Sequence, residues 1–336
     1  MKDSKNEPHN NEVKLELSMF SPSYLLTWLG TGFLYVLTLL PIQIQLFLGG
    51  QLGSILLFIS PQRKNITQIN LQLCFPNKTQ IELEKMVKEV FKDIGKGLIE
   101  TGITWWKSDR FIDKLINKKS NFEQLDSNNE GCLILLKHST HAELDIRLIS
   151  RLLRVGGMYK TQTNKVMNYL MIKARNKYLI GTVTNHQTRR GLKWLRNGLK
   201  FLYAADQDYG KKGSEFVPFF GIQAATISLP SDLFKKGTKV YFYNVIRVNS
   251  SYEITLEDLG SKTGEENFLN LMNDFYEKAI LKAPTQYFWM HRRFKNRPEG
   301  EKGFILTGRK EKKEEKKKER KGLKQAEEFV NLIPKL

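Results

Sequence analysis

From Leu17 to Gln62 the chain carries no charged residue and no histidine, 46 consecutive positions in a protein of 336 residues and net charge +19. A stretch of that kind has to be covered by protein or by lipid. A secretory signal needs a basic leading segment, a shorter apolar core and a small-residue cleavage site. No Ala-x-Ala-like site closes this run, so it reads as a retained membrane anchor. Roughly twenty apolar residues cross a bilayer core, and Tyr24 to about Leu46 meets that length. The competing reading is a buried hairpin of two helices broken at Pro41 or at Gly49-Gly50, with Gln43 and Gln45 as its polar residues. Gly53 to Ile59 is too short to cross again and fits the interface. Arg63, Lys64, Lys78, Lys85, Lys88, Lys92 and Lys96 follow the run, against Lys2, Lys5 and Lys14 before it. The positive-inside rule then puts the bulk of the protein in the cytoplasm. Residues 1–16, polar and of mixed charge, are expected to be disordered.

The charge is uneven. Arg309–Lys324 holds ten Lys/Arg against four Glu, a low-complexity basic tail, and the rest of the excess is spread over the body. Such a charge attracts a polyanion, whether nucleic acid, an acyl carrier protein or an anionic membrane surface, and does not choose among them. Cys74 and Cys132 have neither a CxxC partner nor metal-like spacing, which fits a reducing compartment.

Past the apolar run, residues 79–105 predict an amphipathic helix, with Thr79 as N-cap and Glu82 at the capping-box position. Trp105-Trp106 closes it, either at a membrane interface or in the core. Strand and helix patterns then alternate: Cys132–Leu136 a strand, His141–Leu153 a helix, Gly157–Lys160 a strand, Lys165–Lys177 a helix. Leu179–Thr184 is a strand, Thr188–Gly198 a helix, Leu199–Ala205 a strand, and Val240–Val248 with Tyr252–Leu256 a β-hairpin. Asn267–Leu281 is a last long helix. Alternation of this kind implies an α/β domain whose sheet is mainly parallel or mixed and flanked by helices.

The apolar run Cys132–Leu136 stops at Lys137-His138, and Glu143 follows five positions after the histidine. Ligands collect at the carboxyl ends of strands in open α/β sheets. A histidine delivered there, with a carboxylate fixing its second nitrogen, has the parts of a general base. Five residues on a straight helix are about 140° apart, so His138 and Glu143 meet only across a turn. Two other readings use the same residues: a metal site of His138, His141 and Asp145, for which no further ligand set exists, and a Ser139 nucleophile, which lacks the Gly-x-Ser-x-Gly elbow. Asp206-Gln-Asp-Tyr-Gly follows another strand and puts a second acid at the same edge. Phe216-Val-Pro-Phe-Phe-Gly221 reads as an apolar loop, closing the core or walling a greasy ligand. Trp289–Lys295 sets cations among aromatics, suited to phosphate or carboxylate.

Taken together and in order, these segments resemble the late acyltransferases of lipid A biosynthesis, the lauroyl and myristoyl transferases that use acyl carrier protein. The resemblance rests on His138-x4-Glu143, Asp206-Gln-Asp-Tyr-Gly with Gly213, Phe216–Gly221 with Ala224-Ala-Thr226, and Gln286–Lys295 with Arg297-Pro298. The segment Asn70–Pro76, Trp105-Trp-Lys-Ser-Asp109 and the apolar N-terminal run add to it, over about residues 22 to 305. It implies a glycerolipid acyltransferase-like fold at residues 61–305, with the anchor before it and the 306–336 tail outside it. It also implies transfer of a fatty acyl chain from an acyl carrier protein thioester to a lipid A precursor hydroxyl, at the cytoplasmic face of a bacterial inner membrane. His138 would then be the base and Glu143 its orienting acid. Arg175 and Asp206 fall at positions the family uses for activity and substrate binding, and Arg175, Lys160, Arg292 and Arg293 are candidates for holding phosphates of the acceptor or of the carrier's phosphopantetheine. Backbone N–H groups at the start of the 141–153 helix are candidates for the oxyanion. Neither a metal nor another cofactor is called for, and no nucleic acid is expected. Two positions depart from the pattern: Lys137 stands where relatives often carry a small or amide residue, and Tyr159-Lys160-Thr161 where the family usually has Tyr-Arg-Pro. The alternatives are a related enzyme acting on another glycolipid or phospholipid with acyl-CoA, and a non-catalytic basic protein of the membrane surface.

Overall fold

The computed structural model describes residues 8–122, 125, 130–262 and 268–304; the 306–336 tail lies outside them. Helices α1 (Leu25–Leu37), α2 (Ile42–Ile59), α3 (Pro61–Cys74), α4 (Gln80–Trp106) and α5 (Asp109–Leu115) precede the sheet domain. There follow β1 (Ile116–Ser120), β2 (Cys132–Leu136), α6 (Ala142–Ser150), β3 (Val155–Tyr159), α7 (Lys165–Arg175), β4 (Gly181–Thr184), α8 (Thr188–Arg196) and β5 (Lys200–Tyr203). The chain continues through β6 (Ser214–Phe219), β7 (Ile222–Ile227), α9 (Leu229–Phe234), β8 (Lys239–Val248), β9 (Ser251–Asp258) and α10 (Phe268–Lys282). The alternating pattern in the sequence is thus an α/β fold with a mixed, mostly parallel sheet flanked by helices.

Strand order in the seven-stranded sheet is β1-β9-β8-β2-β5-β3-β4. β2 pairs in parallel with both β8 and β5, and only the β8–β9 hairpin, turning at Asn249, runs antiparallel. β2 is central and all five of its residues are buried. Its side chains alternate between the two faces. Leu133 and Leu135 join the core made with α4, α8 and α10, while Cys132, Ile134 and Leu136 join the one made with α5 and α6. A strand covered on both sides reads as a continuous apolar run, and each fully buried leucine contributes about 1.5–3 kcal/mol.

Three expectations change. The Tyr24–Leu46 span is not one helix: α1 ends at Leu37 and α2 starts after Pro41, whose ring disfavours helical backbone in the residue before it. The buried amide of Gln45 donates to the freed carbonyls of Thr38 (3.0 Å) and Leu40 (2.6 Å), which explains a polar side chain in an apolar run. Residues 8–16 are ordered along the sheet edge: Asn10 donates to Leu179 O (3.0 Å), Asn11 to the Tyr159 hydroxyl (3.0 Å), and Thr182 N–H to His9 O (3.3 Å). Polar composition there signals hydrogen bonding rather than disorder. Phe216–Gly221 is not a loop but the turn end of an antiparallel hairpin, β6–β7, with Phe219 buried in the core.

α4 is the helix on which the site is mounted. Thr79 and Glu82 form the expected capping box, with Thr79 N–H donating to Glu82 at 2.8 Å. α2 lies along α4 at backbone contact: a Cβ on Gly95 would stand 2.1 Å from Gly49 O and 2.3 Å from Gly53 N. Two residues on, Gly97 meets the turn after β2, where an added Cβ would be 1.8 Å from Thr140 O. Glycine inside a helix is otherwise unfavourable by roughly 0.5–1 kcal/mol. α2 is long and apolar enough to cross a bilayer, and it packs along α4 at backbone contact. The outward faces of α1 and α2 expose Leu26, Leu29, Phe33, Phe47, Ile55 and Phe58.

Replacing Gly97 by Ala should therefore displace the turn carrying His138 and lower stability by about 1–3 kcal/mol. Denaturant unfolding of the detergent-solubilised protein checks this; an unchanged midpoint would mean that α4 does not seat the turn.

Candidate active site

β2 ends at Leu136, and Lys137–His141 form the turn into α6. Two neighbours fix it. From the C-terminal segment, Gln286 O accepts the Thr140 N–H (2.8 Å) and Phe288 N–H donates to His138 O (2.9 Å). From the other side, α4 abuts Thr140 at Gly97. His138 is thus delivered at the carboxyl edge of the central strand, as its position after an apolar run implied.

Asp206 lies just past the end of β5, the strand beside β2. Its Oδ2 accepts the His138 backbone N–H at 2.8 Å and its Oδ1 is 2.6 Å from His138 Nδ1. Burial pushes the Asp206 carboxyl up, but the His138 imidazole and the hydrogen bonds from His138 bring it below the usual carboxylate range. An ionised carboxylate only accepts, so Nδ1 carries a proton, and in the neutral ring Nε2 presents a lone pair. The His138 side chain is 30% exposed and Asp206 fully buried. No described residue hydrogen-bonds to Nε2, which is free to meet a substrate hydroxyl. These are the working parts of a general base.

Glu143, expected to hold His138, is engaged elsewhere. Its carboxylate takes a bidentate pair from Arg175, Nε at 3.0 Å and Nη2 at 2.6 Å, and Tyr178 donates to it at 3.4 Å. Burial lowers the Arg175 pKa, but the Glu143 charge more than offsets this and holds the guanidinium firmly protonated. The i,i+5 offset explains the difference. Glu143 sits in the first turn of α6 and reaches across to the end of α7, away from the imidazole. In the structure the carboxylate in contact with His138 is Asp206, and Glu143 is paired with Arg175.

The remaining candidates divide. Lys160 is exposed just beyond β3, and Arg292 is half-buried with no ion pair among the described residues. Arg293 is corrected to a structural residue. It is 1% exposed, donates to Ala225 O (2.5 Å) and Thr226 Oγ1 (2.9 Å), and stacks on Phe219 at 4.8 Å. The N–H groups proposed for an oxyanion are mostly engaged: Thr140 with Gln286 O, His141 with Ser139 Oγ, Leu144 and Asp145 with His141 O. His141 and Asp145 are buried and bonded to each other at 2.6 Å, with Ser139 Oγ donating to Asp145 at 2.5 Å. That network underpins the turn, and His138 takes no part in it.

Some contributors went unread in the sequence. His291 accepts the Asp208 N–H at 3.0 Å, and Asp208 in turn accepts from Asn296 N–H (2.8 Å), tying the Asp206 loop to the C-terminal segment. Burial, then the neighbouring His138, pushes His291 down to about 4, so it serves as a neutral acceptor. Lys137 is fully buried beneath the turn.

A buried carboxylate fixing a half-open histidine at the carboxyl edge of a mixed α/β sheet is the equipment of a group-transfer or hydrolytic enzyme. The sequence profile of the bacterial lipid A biosynthesis acyltransferases matches residues 13–296. A lipid A biosynthesis palmitoleoyltransferase of Escherichia coli K12 is 32% identical over 306 residues, 88% of this chain and 99% of that one. A lauroyltransferase of the same organism is 30% identical over 86% of this chain and 98% of its own. A lipid A biosynthesis acyltransferase of Haemophilus influenzae is 29% identical over 83% and 93%. The chain belongs to the bacterial lipid A biosynthesis acyltransferase family, and it is an acyltransferase.

Asp206→Asn should keep the fold but allow the opposite tautomer at His138, and lower acyl transfer by about 10²-fold or more. Steady-state rates of the purified variant test this; activity within threefold of the parent would remove Asp206 from the dyad.

Proposed function

We propose that the enzyme transfers a fatty acyl chain from an acyl carrier protein thioester to a free hydroxyl of a lipid A precursor. The contact that carries the reading is His138 Nδ1 on Asp206 at 2.6 Å, with Nε2 open. His138 Nε2 removes the hydroxyl proton as the oxygen attacks the thioester carbonyl. The tetrahedral intermediate collapses, the C–S bond breaks, and the leaving thiolate takes the proton back from the imidazolium. Asp206 stabilises that imidazolium while it exists. The Glu143–Arg175 pair borders the turn and shapes the approach to His138. Arg292 and Lys160 are the cations left to meet phosphate groups of the acceptor or of the carrier's prosthetic arm. The acyl-group relatives support the acceptor class, since each is described as a lipid A biosynthesis enzyme.

The exposed apolar faces of α1 and α2 would seat the enzyme on the membrane that holds such an acceptor, with the site toward the cytoplasm as the flanking lysines imply. Because α2 packs along α4 through glycines, embedding those faces also holds α4, and with it the catalytic turn, at a fixed depth.

His138→Ala should lower transfer by about 10²–10⁴-fold in membranes containing a folded variant. Cells lacking the gene should make lipid A missing one secondary acyl chain by mass spectrometry, restored by the parent gene and not by the variant. Near-normal turnover by folded His138→Ala, or unaltered lipid A in the deletion, would contradict the proposal.

A further inference from the structure

β2 and β5 pair in parallel as far as Leu135–Tyr203, and the register, continued by one residue, sets Leu136 opposite Ala204. In a parallel ladder a residue bonds the positions on either side of the one it faces, so it bridges two residues of its neighbour that lie two apart. In the continued ladder Ala205 would be such a bridge, its N–H on the Leu136 carbonyl and its own carbonyl accepting the His138 N–H. Side chains take both places instead. The Ala205 N–H donates to the Tyr276 hydroxyl (3.2 Å), which donates in turn to Leu136 O (3.3 Å). The His138 N–H donates to Asp206 Oδ2 (2.8 Å). Tyr276 stands on α10 with Met272, Ala279 and Ile280, all buried in the core on that side of the sheet, and its ring packs edge-on to Phe242 of β8 at 5.1 Å.

We infer that Tyr276 is a positioning residue for acyl transfer: its hydroxyl replaces the next rung between β2 and β5, and the separation it holds admits the Asp206 carboxylate to His138. A direct N–H···O bond spans about 2.9 Å. With a hydroxyl oxygen in the middle, the carbonyl and the N–H stand two hydrogen bonds apart. The strands therefore part at the point where a side chain has to enter between them. Asp206 follows at once, its carboxylate on both the backbone and the ring of His138. Without the hydroxyl, the Leu136 carbonyl and the Ala205 N–H become buried groups facing each other, and a direct rung is the nearest way to satisfy both. That closure brings the His138 N–H toward the Ala205 carbonyl and displaces Asp206 from it.

A buried tyrosine hydroxyl is satisfied by one partner. This one takes an acceptor from one strand and a donor from the next, at the first position past the ladder. Burial, then the Asp206 carboxylate, holds the Tyr276 phenol well above its usual range, so the proton it donates stays in place. The neighbouring contacts secure one strand each. The Tyr287 hydroxyl donates to Asp206 O (3.2 Å) and holds the continuation of β5. Phe288 N–H, on His138 O at 2.9 Å, holds the continuation of β2. Tyr276 alone among these bonds both strands, and so sets the distance between them.

This inference rests on the His138–Asp206 pair being the base, and the two can fail separately. Tyr276→Phe removes the hydroxyl and keeps the ring against Phe242. Tyr276 is fully buried, so the loss should fall on turnover rather than on substrate binding. We expect kcat to drop by about 10–10²-fold with KM within about threefold of the parent. In ¹⁵N-histidine-labelled full-length protein, which needs no substrate, the neutral His138 ring should lose its preference for the proton on Nδ1. A loss of core stability alone would leave that preference in place. Tyr276→Met fills the same space with a flexible side chain, should behave alike, and covers the case in which Tyr276→Phe fails to fold. If either folded variant keeps the Nδ1–H tautomer of His138, Tyr276 does not seat Asp206 and the inference is overturned, whatever the turnover. If the tautomer is lost while kcat holds, or if His138→Ala retains turnover, it is the catalytic reading of the pair that falls.

Discussion

The arrangement depends on one hydrogen-bonded pair, His138 with Asp206, and on the adjacency of the two strands that deliver it. β2 and β5 are separated in sequence by three helices and two strands, yet they pair in parallel from Cys132–Lys200 to Leu135–Tyr203. Continued past the strand ends, that register sets His138 opposite Asp206 at the same edge. A shift of one position would turn each side chain to the opposite face and separate the acid from the imidazole. The apolar burial that fixes the register is thus also what brings this pair together. Asp206 contacts the histidine twice, through Nδ1 and through the backbone N–H, so it sets both the tautomer and the path of the turn.

α4 joins this pair to the apolar helices α1 and α2. Gly95 receives α2 and Gly97 receives the catalytic turn. Arg247 of β8 locks the same helix to the sheet through buried pairs with Asp93 and Glu100, each at 2.6 Å. Stripping one partner from such a group leaves uncompensated charge and typically costs about 3–5 kcal/mol. The position of the apolar helices and the position of the base are therefore not independent.

Much of the fold was legible because its signals are local. Capping at Thr79, the strand before His138, the βα alternation and the β8–β9 hairpin each rest on side chains within a few residues of one another. What could not be read was which strands are neighbours. Asp206 was visible as an acid after a strand, but only the order β2-β5 makes it the partner of His138, and nothing in a linear sequence states that order. Glu143 looked the better partner for being near in sequence, and its helix carried it toward Arg175. Arg293 and Arg292 are adjacent and of one type, so only burial tells the core guanidinium from the available one. At residues 8–16 the hydrogen bonds were not legible because asparagine serves disordered segments and buried hydrogen bonds equally well, and residues 1–7 lie outside the described residues.

The claim that Asp206, not Glu143, governs the base is tested most directly by the ring itself. In ¹⁵N-histidine-labelled protein, NMR should find neutral His138 with its proton on Nδ1 and Nε2 bare. Glu143→Gln should leave that tautomer in place, and Asp206→Asn should lose it. A His138 protonated on Nε2, or a tautomer that follows Glu143 rather than Asp206, would contradict the account.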